Sequence, residues 1–247
     1  MVKFSFFLSI VFISMNTKQC KSEIETFSLT IPKKGFEVVQ YLPANQKERN
    51  KNTLYLPPRE ITKKECNTKP LNEFIASMYE VMIKTSGVGI AANQVGKRLQ
   101  VFIIEAKADN PRYQVLGPVN KQVFINPKIT KVSKEKKNFW HGCLSANGED
   151  RGNVATYEWI EYESLNERGE IQTGRLDGFA AVIFQHEFRH LLNGTYLDIA
   201  KQFLPKAVLD KKIQSGELPF FEITSDTLPL LISDYTVGKS ITEYHSK

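Results

Sequence analysis

Two short runs in this 247-residue chain have the residue types and spacing to do chemistry. His186-Glu187-Phe188-Arg189-His190 is an HExxH sequence, and Gly142-Cys143-Leu144-Ser145 stands upstream of it. Histidines four apart on a helix face the same way, so His186 and His190 can bind one metal ion. Glu187 between them can work on a water that the ion activates. HExxH alone points to a zinc peptidase. Cys143 narrows the reading, because a thiolate adds a third protein ligand and leaves the fourth position open for water. The two runs together predict a mononuclear metal-dependent hydrolase.

The blander reading of the histidines is a pair of core residues with satisfied hydrogen bonds. The residues before them (Phe179, Ala180, Ala181, Val182, Ile183, Phe184) are apolar nearly all round the helix, which predicts burial. Two buried imidazoles and a buried carboxylate need partners, and a metal ion is the most economical one. Arg189 is expected to point off the ligand face, at the surface or behind the ligands. Cys143 by itself would be packing. Its flanks change that: Gly142 permits close backbone approach, and Ser145 with Asn147-Gly148 marks an irregular segment whose backbone N–H groups can bind an oxyanion. A third run, Gly87 to Gln94, is small or apolar as far as Ala92 and ends in amides. It reads as either a functional loop or a tight turn into a buried segment; without a lysine it is no phosphate loop.

These runs need elements to hold them. Phe36 to Leu42 reads as a strand ahead of Pro43, and 44–52 as a loop. Leu71 to Lys84 has the three-and-four apolar spacing of an amphipathic helix, ended by Ser86-Gly87-Val88-Gly89. Leu99 to Glu105 and Val123 to Asn126 are strand candidates, with a Pro-containing loop over 107–121. Thr156 to Ser164 and Glu170 to Leu176 form a predicted hairpin. Gly178 to Leu192 is the HExxH helix, with Asp177 as its cap and Asn193-Gly194 at its end. Lys206 to Gln214 reads as a short helix, and the tail from Ser215 shows no period. Strands followed by one central helix predict an α+β fold, with antiparallel or mixed sheets around the HExxH helix.

Taken in order, Gly87 to Gln94, His141 to Ser145 and His186 to His190 resemble the three motifs of the peptide deformylases: G-x-G-φ-A-A-x-Q, E-G-C-φ-S and H-E-x-x-H. The similarity runs from about Val38 to about Asp198. It implies a metal hydrolase that removes formyl from the N-terminal methionine of new polypeptides, so the expected partners are N-formylmethionyl peptides or nascent chains. It implies that Cys143, His186 and His190 hold one divalent ion, Fe2+ by preference, with Zn2+ or Ni2+ able to replace it. Glu187 becomes the general base and proton shuttle, and Gln94 with the Leu144 backbone N–H becomes the oxyanion stabiliser. Val88, Gly89 and Gly142 would pair with the substrate backbone, and Phe179, Val182 and Ile183 would line the methionine pocket. The chain departs from the pattern at His141, where the motif has glutamate, and at Ser145 to Gly148, where a proline is usual; Arg151 keeps a common downstream arginine. Two rivals stay open. A zinc endopeptidase would want a third ligand downstream, where only His245 is available, and a non-catalytic formyl-peptide-binding paralogue is suggested by His141.

Hydrophobic residues make up 41% and charged residues 24%, ordinary for a globular domain. The net charge of +6 comes from scattered lysines with no aromatic-interleaved basic stripe, so no nucleic-acid site is expected. Cys20, Cys66 and Cys143 make no disulfide framework, and Cys66, in a polar stretch, reads as a surface or boundary thiol. Lys3, the apolar run Phe4 to Met15 and the polar flank from Asn16 resemble a targeting leader. The run is shorter than the roughly 20 residues a spanning helix needs. The predicted layout is a leader over 1–22 for export or organelle delivery, a linker over 23–34, a catalytic domain over 35–205 and an extension over 206–247. A monomer without a transmembrane span in its mature domain is expected.

Overall fold

A computed structural model of the chain describes residues 29–109, 116–146, 150–219, 222–223 and 229–246. The leader expected over 1–22 and the Asn147-Gly148 pair lie outside the described residues.

Helix α1 (Lys69–Lys84) starts with Pro70 in its first turn, where a missing N–H costs nothing, and buries Leu71, Phe74, Ile75, Met78 and Met82 on one face. It ends at Ser86, whose φ of +54° turns the chain, and Gly87 N–H closes the end on the Met82 carbonyl at 2.8 Å. The following strand β1 (Gly89–Ala91) is the edge of a five-stranded sheet with β2 (Val101–Ala106), β3 (Val119–Val132), β6 (Trp159–Leu165) and β7 (Ile171–Asp177), every neighbour antiparallel. Strand β2 shows why its run is apolar throughout: Val101 and Ile103 pack with α1, whereas Phe102 and Ile104 pack with helix α2 (Gly178–Leu191) on the opposite face. The rings of Phe102, Phe124 and Phe184 meet at centroid distances of 4.9 and 5.0 Å and join α2 to the sheet. A second sheet, ordered β8-β5-β4-β9, contains β4 (Lys136–His141), β5 (Asp150–Tyr157), β8 (Gln202–Pro205) and β9 (Glu222–Ile223). The architecture is α+β, with antiparallel sheets around the HExxH helix.

Several expectations need correction. Residues 36–42 form no strand: the segment is a strap whose Val39 N–H donates to the Gln94 carbonyl and whose Tyr41 N–H donates to the Ser145 carbonyl, each at 2.7 Å. The run from Thr156 to Ser164 is two strands in two different sheets, broken at Glu158, where Ser133 Oγ accepts the N–H groups of Glu158 and Trp159. The β6–β7 hairpin stands as predicted, with Gly169 at φ +77° in its turn. Strand β3 continues past Asn126 because Asn126 (φ +48°) and Pro127 form a bulge, and the Asn126 amide engages both the N–H and the carbonyl of Ile61. Asp177 does not cap α2; its carboxylate is taken by Arg175 at 2.8 Å, and Gly178 makes the turn into the helix at φ +54°. Cys66 is buried, packed beneath Gly169, because the polar residues around it face outward.

The tail is more ordered than its sequence suggests. Helix α3 (Lys206–Gln214) has the predicted bounds, and the later segment buries Leu231, Ile232, Tyr235 and Ile241, ending in the short helix α4 (Ile241–His245). It also holds Asp234, which pairs with Arg189 at 2.6 Å; Arg189 is therefore buried behind the ligand helix and not at the surface. No helix among the described residues is long and apolar enough to cross a membrane.

Candidate active site

Three segments distant in sequence converge over α2. The helix presents His186 and His190 one turn apart, the end of β4 delivers His141 to Leu144, and the turn between α1 and β2 brings Val88, Gly89 and Gln94. The ligand atoms of Cys143, His186 and His190 all lie within 4.8 Å of one another. Cys143 Sγ stands 3.3 Å from His190 Nε2. Gln94 is locked in one orientation: its Oε1 accepts the Ala91 N–H at 2.8 Å, so its Nε2 faces Cys143 Sγ at 3.3 Å and Ser145 Oγ at 3.2 Å.

The electrostatics are those of ionisable groups whose burial favours their neutral forms. Cys143 keeps a partly exposed edge, yet burial of the remainder pushes its thiol up to about 12. Burial lowers His186 to about 4 and takes His190 and His141 well below the ordinary histidine value. Glu187 is driven well above the usual carboxylate range by the same cause. Glu187 Oε2 and His190 Nδ1 are buried without a hydrogen-bond partner. A cation resolves this arrangement, since it stabilises a thiolate, takes the imidazole lone pairs and favours the ionised carboxylate. One thiolate and two imidazoles suit a borderline transition metal and disfavour an oxygen-seeking ion.

Beside the ligands is a pocket of about 150 Å3. Its walls include every residue to which the sequence assigned metal, catalytic or substrate binding except His190, which is fully buried. A family model described as polypeptide deformylase matches residues 47–205. The chain belongs to the peptide deformylase family. Such enzymes are metal-dependent hydrolases, and this one removes the N-formyl group from the N-terminal formylmethionine of polypeptides. It is 34% identical over 146 residues to a peptide deformylase of Leptospira biflexa, covering 58% of this chain and 79% of that protein. With the Aquifex aeolicus peptide deformylase it shares 35% over 159 residues, 62% of this chain and 90% of that one. Among solved structures, the Met-Ala-Ser-bound class I type b deformylase from Acinetobacter baumannii superposes with a TM-score of 0.59 at 30% identity, covering 70% of this chain and 99% of that one. The Thermotoga maritima peptide deformylase gives 0.55 at 28%, covering 68% and 99%.

The rival third ligand does not reach the site of this deformylase. His245 Nε2 engages the Leu191 carbonyl at 2.8 Å and stands outside the Cys143–His186–His190 cluster. Thr85, Ser86 and Phe139, which sequence reasoning had not placed in the site, line the pocket together with His141 and Arg151, the two positions noted beside the cysteine motif. Phe139 contacts Phe179 at a ring separation of 5.7 Å and His141 at 5.3 Å. Strand alternation would have put Phe139 and His141 on one face, but Lys136 to His141 carries no apolar run by which to recognise β4. Asn93 Nδ2 donates to the His190 carbonyl at 2.6 Å and ties the Gln94 segment to the ligand helix. Two glycines are explained by close approach. A Cβ on Gly142 would lie 2.6 Å from Arg151 Cζ, and one on Gly89 would lie 2.7 Å from Glu187 Cδ.

Proposed function

We propose that Cys143, His186 and His190 hold one divalent ion, and that Glu187, Gln94 and the Leu144 backbone N–H carry the protein's share of deformylation. The observation that supports this is the convergence of one thiol and two imidazole donors within 4.8 Å of one another, beside a pocket that Glu187 also lines. When bound, the ion supplies Lewis acidity, acidifying a water and polarising the formyl carbonyl. Ferrous iron is the physiological ion in this reading, with zinc or nickel able to replace it.

Glu187 takes a proton from the attacking water at its carboxylate and returns it to the departing amine nitrogen. Burial makes that carboxylate a stronger base than an exposed one. Gln94 Nε2, pinned by the Ala91 N–H on its other end, and the Leu144 N–H face the negative charge that develops on the formyl oxygen. Val88, Gly89 and Gly142 align the substrate backbone, while Phe179, Val182 and Ile183, joined by Phe139, enclose the methionine side chain. The small formyl group fits a narrow site that larger acyl groups do not enter.

In this reading residues 35–205 are the catalytic domain, 206–247 a C-terminal extension, 1–22 a removable targeting segment, and the enzyme acts as a monomer. Metal-loaded protein should deformylate formyl-Met-Ala-Ser and leave casein intact; cleavage of casein without deformylation would overturn the assignment. Full activity in anaerobically purified protein carrying far less than one equivalent of metal would overturn the ligand set. Deleting the residues before Glu23 should leave peptide kinetics unchanged, and collapse of activity would show that the segment belongs to the domain.

A further inference from the structure

We infer that His141 is the positioning residue for the ligand His186: it accepts the His186 Nδ1 proton and so makes His186 present Nε2 to the metal. The inference rests on the ligand set proposed above.

His141 closes β4, is 1% exposed, and lies edge to edge with His186, their rings within 19° of parallel at a centroid distance of 5.4 Å. The two Nδ1 atoms are 3.2 Å apart. Two imidazole nitrogens at that distance need one proton between them, since two protons collide and two lone pairs repel. Only two arrangements satisfy this with neutral rings. If His141 donates, the His186 proton sits on Nε2 and no lone pair remains for a metal. If His186 donates, its Nε2 is bare and faces the cluster. Metal binding through His186 therefore requires His141 to be the acceptor, with its own proton on Nε2. No partner of the His141 Nε2 meets hydrogen-bond geometry, so nothing opposes a proton there.

The second ligand is oriented differently. His190 turns Nε2 toward Cys143 Sγ, and the backbone of Gly194 lies on its other side. One ligand faces main chain, without a hydrogen bond to it, and the other faces an exchangeable side chain. A neutral histidine in this place orients the ligand without adding a negative charge behind the metal, where the motif's glutamate would add one. Fixing the tautomer of a ligating histidine through its second nitrogen is typically worth about 10- to 100-fold in metal affinity.

The test uses the full chain, with zinc as probe in competition with a chelator of known affinity. His141→Phe keeps an aromatic ring beside Phe139 and Tyr196 but offers no acceptor, and should weaken zinc binding about 10- to 100-fold with unchanged near-ultraviolet circular dichroism. His141→Gln, which can accept through Oε1, should restore affinity to within a few-fold. In the zinc-loaded unmutated protein, long-range 1H–15N spectra should show the His186 proton on Nδ1. Equal zinc affinity in His141→Phe, or a His186 proton on Nε2, overturns the inference. Should His141→Phe fail to fold, the tautomer spectrum decides alone. If the unmutated chain binds no zinc, the ligand set and the inference fall together.

Discussion

Gly89→Ala is the smallest change that should separate Glu187 from its work. A methyl group there would lie 2.7 Å from Glu187 Cδ and 2.8 Å from Cγ, whereas unstrained carbons sit about 3.5–4.0 Å apart. The carboxyl group must retreat by roughly 0.8 Å or more. Its room lies only toward the pocket it lines, away from its present place, because Glu187 is otherwise buried at 3% exposure. The backbone raises no objection: Gly89 pairs regularly with Ile104 and does not have positive φ. The penalty therefore falls on side-chain placement, with about 1–3 kcal/mol of overpacking. A misplacement on the order of 1 Å costs about 100-fold in rate. The variant should lose about 100-fold in kcat/KM on formyl-Met-Ala-Ser while retaining its metal. The control is the same change in a Glu187→Ala background, where the methyl displaces no carboxylate and should cost at most a few-fold more. The coupling between the sites should be about 2.7 kcal/mol. An equal loss in both backgrounds would refute the reasoning and show that the methyl blocks the substrate backbone.

Glu187→Ala itself should lose about 100- to 10,000-fold in turnover and keep its metal, and activity within a few-fold of the unmutated protein would remove the proton-transfer role. Gln94→Leu should slow the chemical step about 100- to 1,000-fold; a defect confined to metal content would contradict the geometry. In metal-free protein the Cys143 thiol, held up to about 12, is protonated at neutral pH, while His186, lowered to about 4, is already neutral. Metal uptake must expel the thiol proton, so zinc affinity should rise with pH by about tenfold per pH unit in Glu187→Gln, which removes the other raised acid. Calorimetry in buffers of different ionisation heat measures that proton, and its absence would count against thiolate ligation. Asp234→Ala strips the partner from the largely buried Arg189 guanidinium, and because Asp234 is itself 46% exposed the expected loss is about 1–3 kcal/mol. Denaturant unfolding reads it, and a change below about 0.5 kcal/mol would mean water replaces the carboxylate.

Elements whose own residues encode their period could be read from the chain alone. Helix α1 follows from the spacing of Leu71, Phe74, Ile75, Met78 and Met82, β2 from a run buried on both faces, and α3 from an amphipathic stretch between Pro205 and Gly216. The HExxH pair was readable for the same reason, since four residues of helix set the separation of its imidazoles. Features set by partners were hidden. The β5–β6 break has no sequence mark, because alternation continues across Glu158 while the chain changes sheets. Strand β4 carries Lys136, Lys137 and Asn138 and becomes a strand through its ladders with β5 and β9. Asp177 had the right type for a cap, but the guanidinium two residues earlier competes for its carboxylate.

The misread strap over 36–42 shows how the fold serves the site. Its composition is that of a strand, and a strand would give its N–H groups to a sheet. Here Val39 gives one to the Gln94 carbonyl and Tyr41 gives one to the Ser145 carbonyl, and Gln40 Nε2 reaches the Leu144 carbonyl at 3.3 Å. The Gln94 and Cys143 segments are thus held from outside by bonds of a third segment, and Asn93 ties the Gln94 segment to α2 from within. Backbone donors buried away from water must find acceptors somewhere. By finding them on the 3-10 turn at Gln94 and the irregular segment at Ser145, the strap fixes parts of the site that have no ladder of their own. Its strand-like composition and its contribution to the site thus have one cause: an extended segment whose partners are the segments of the proposed site.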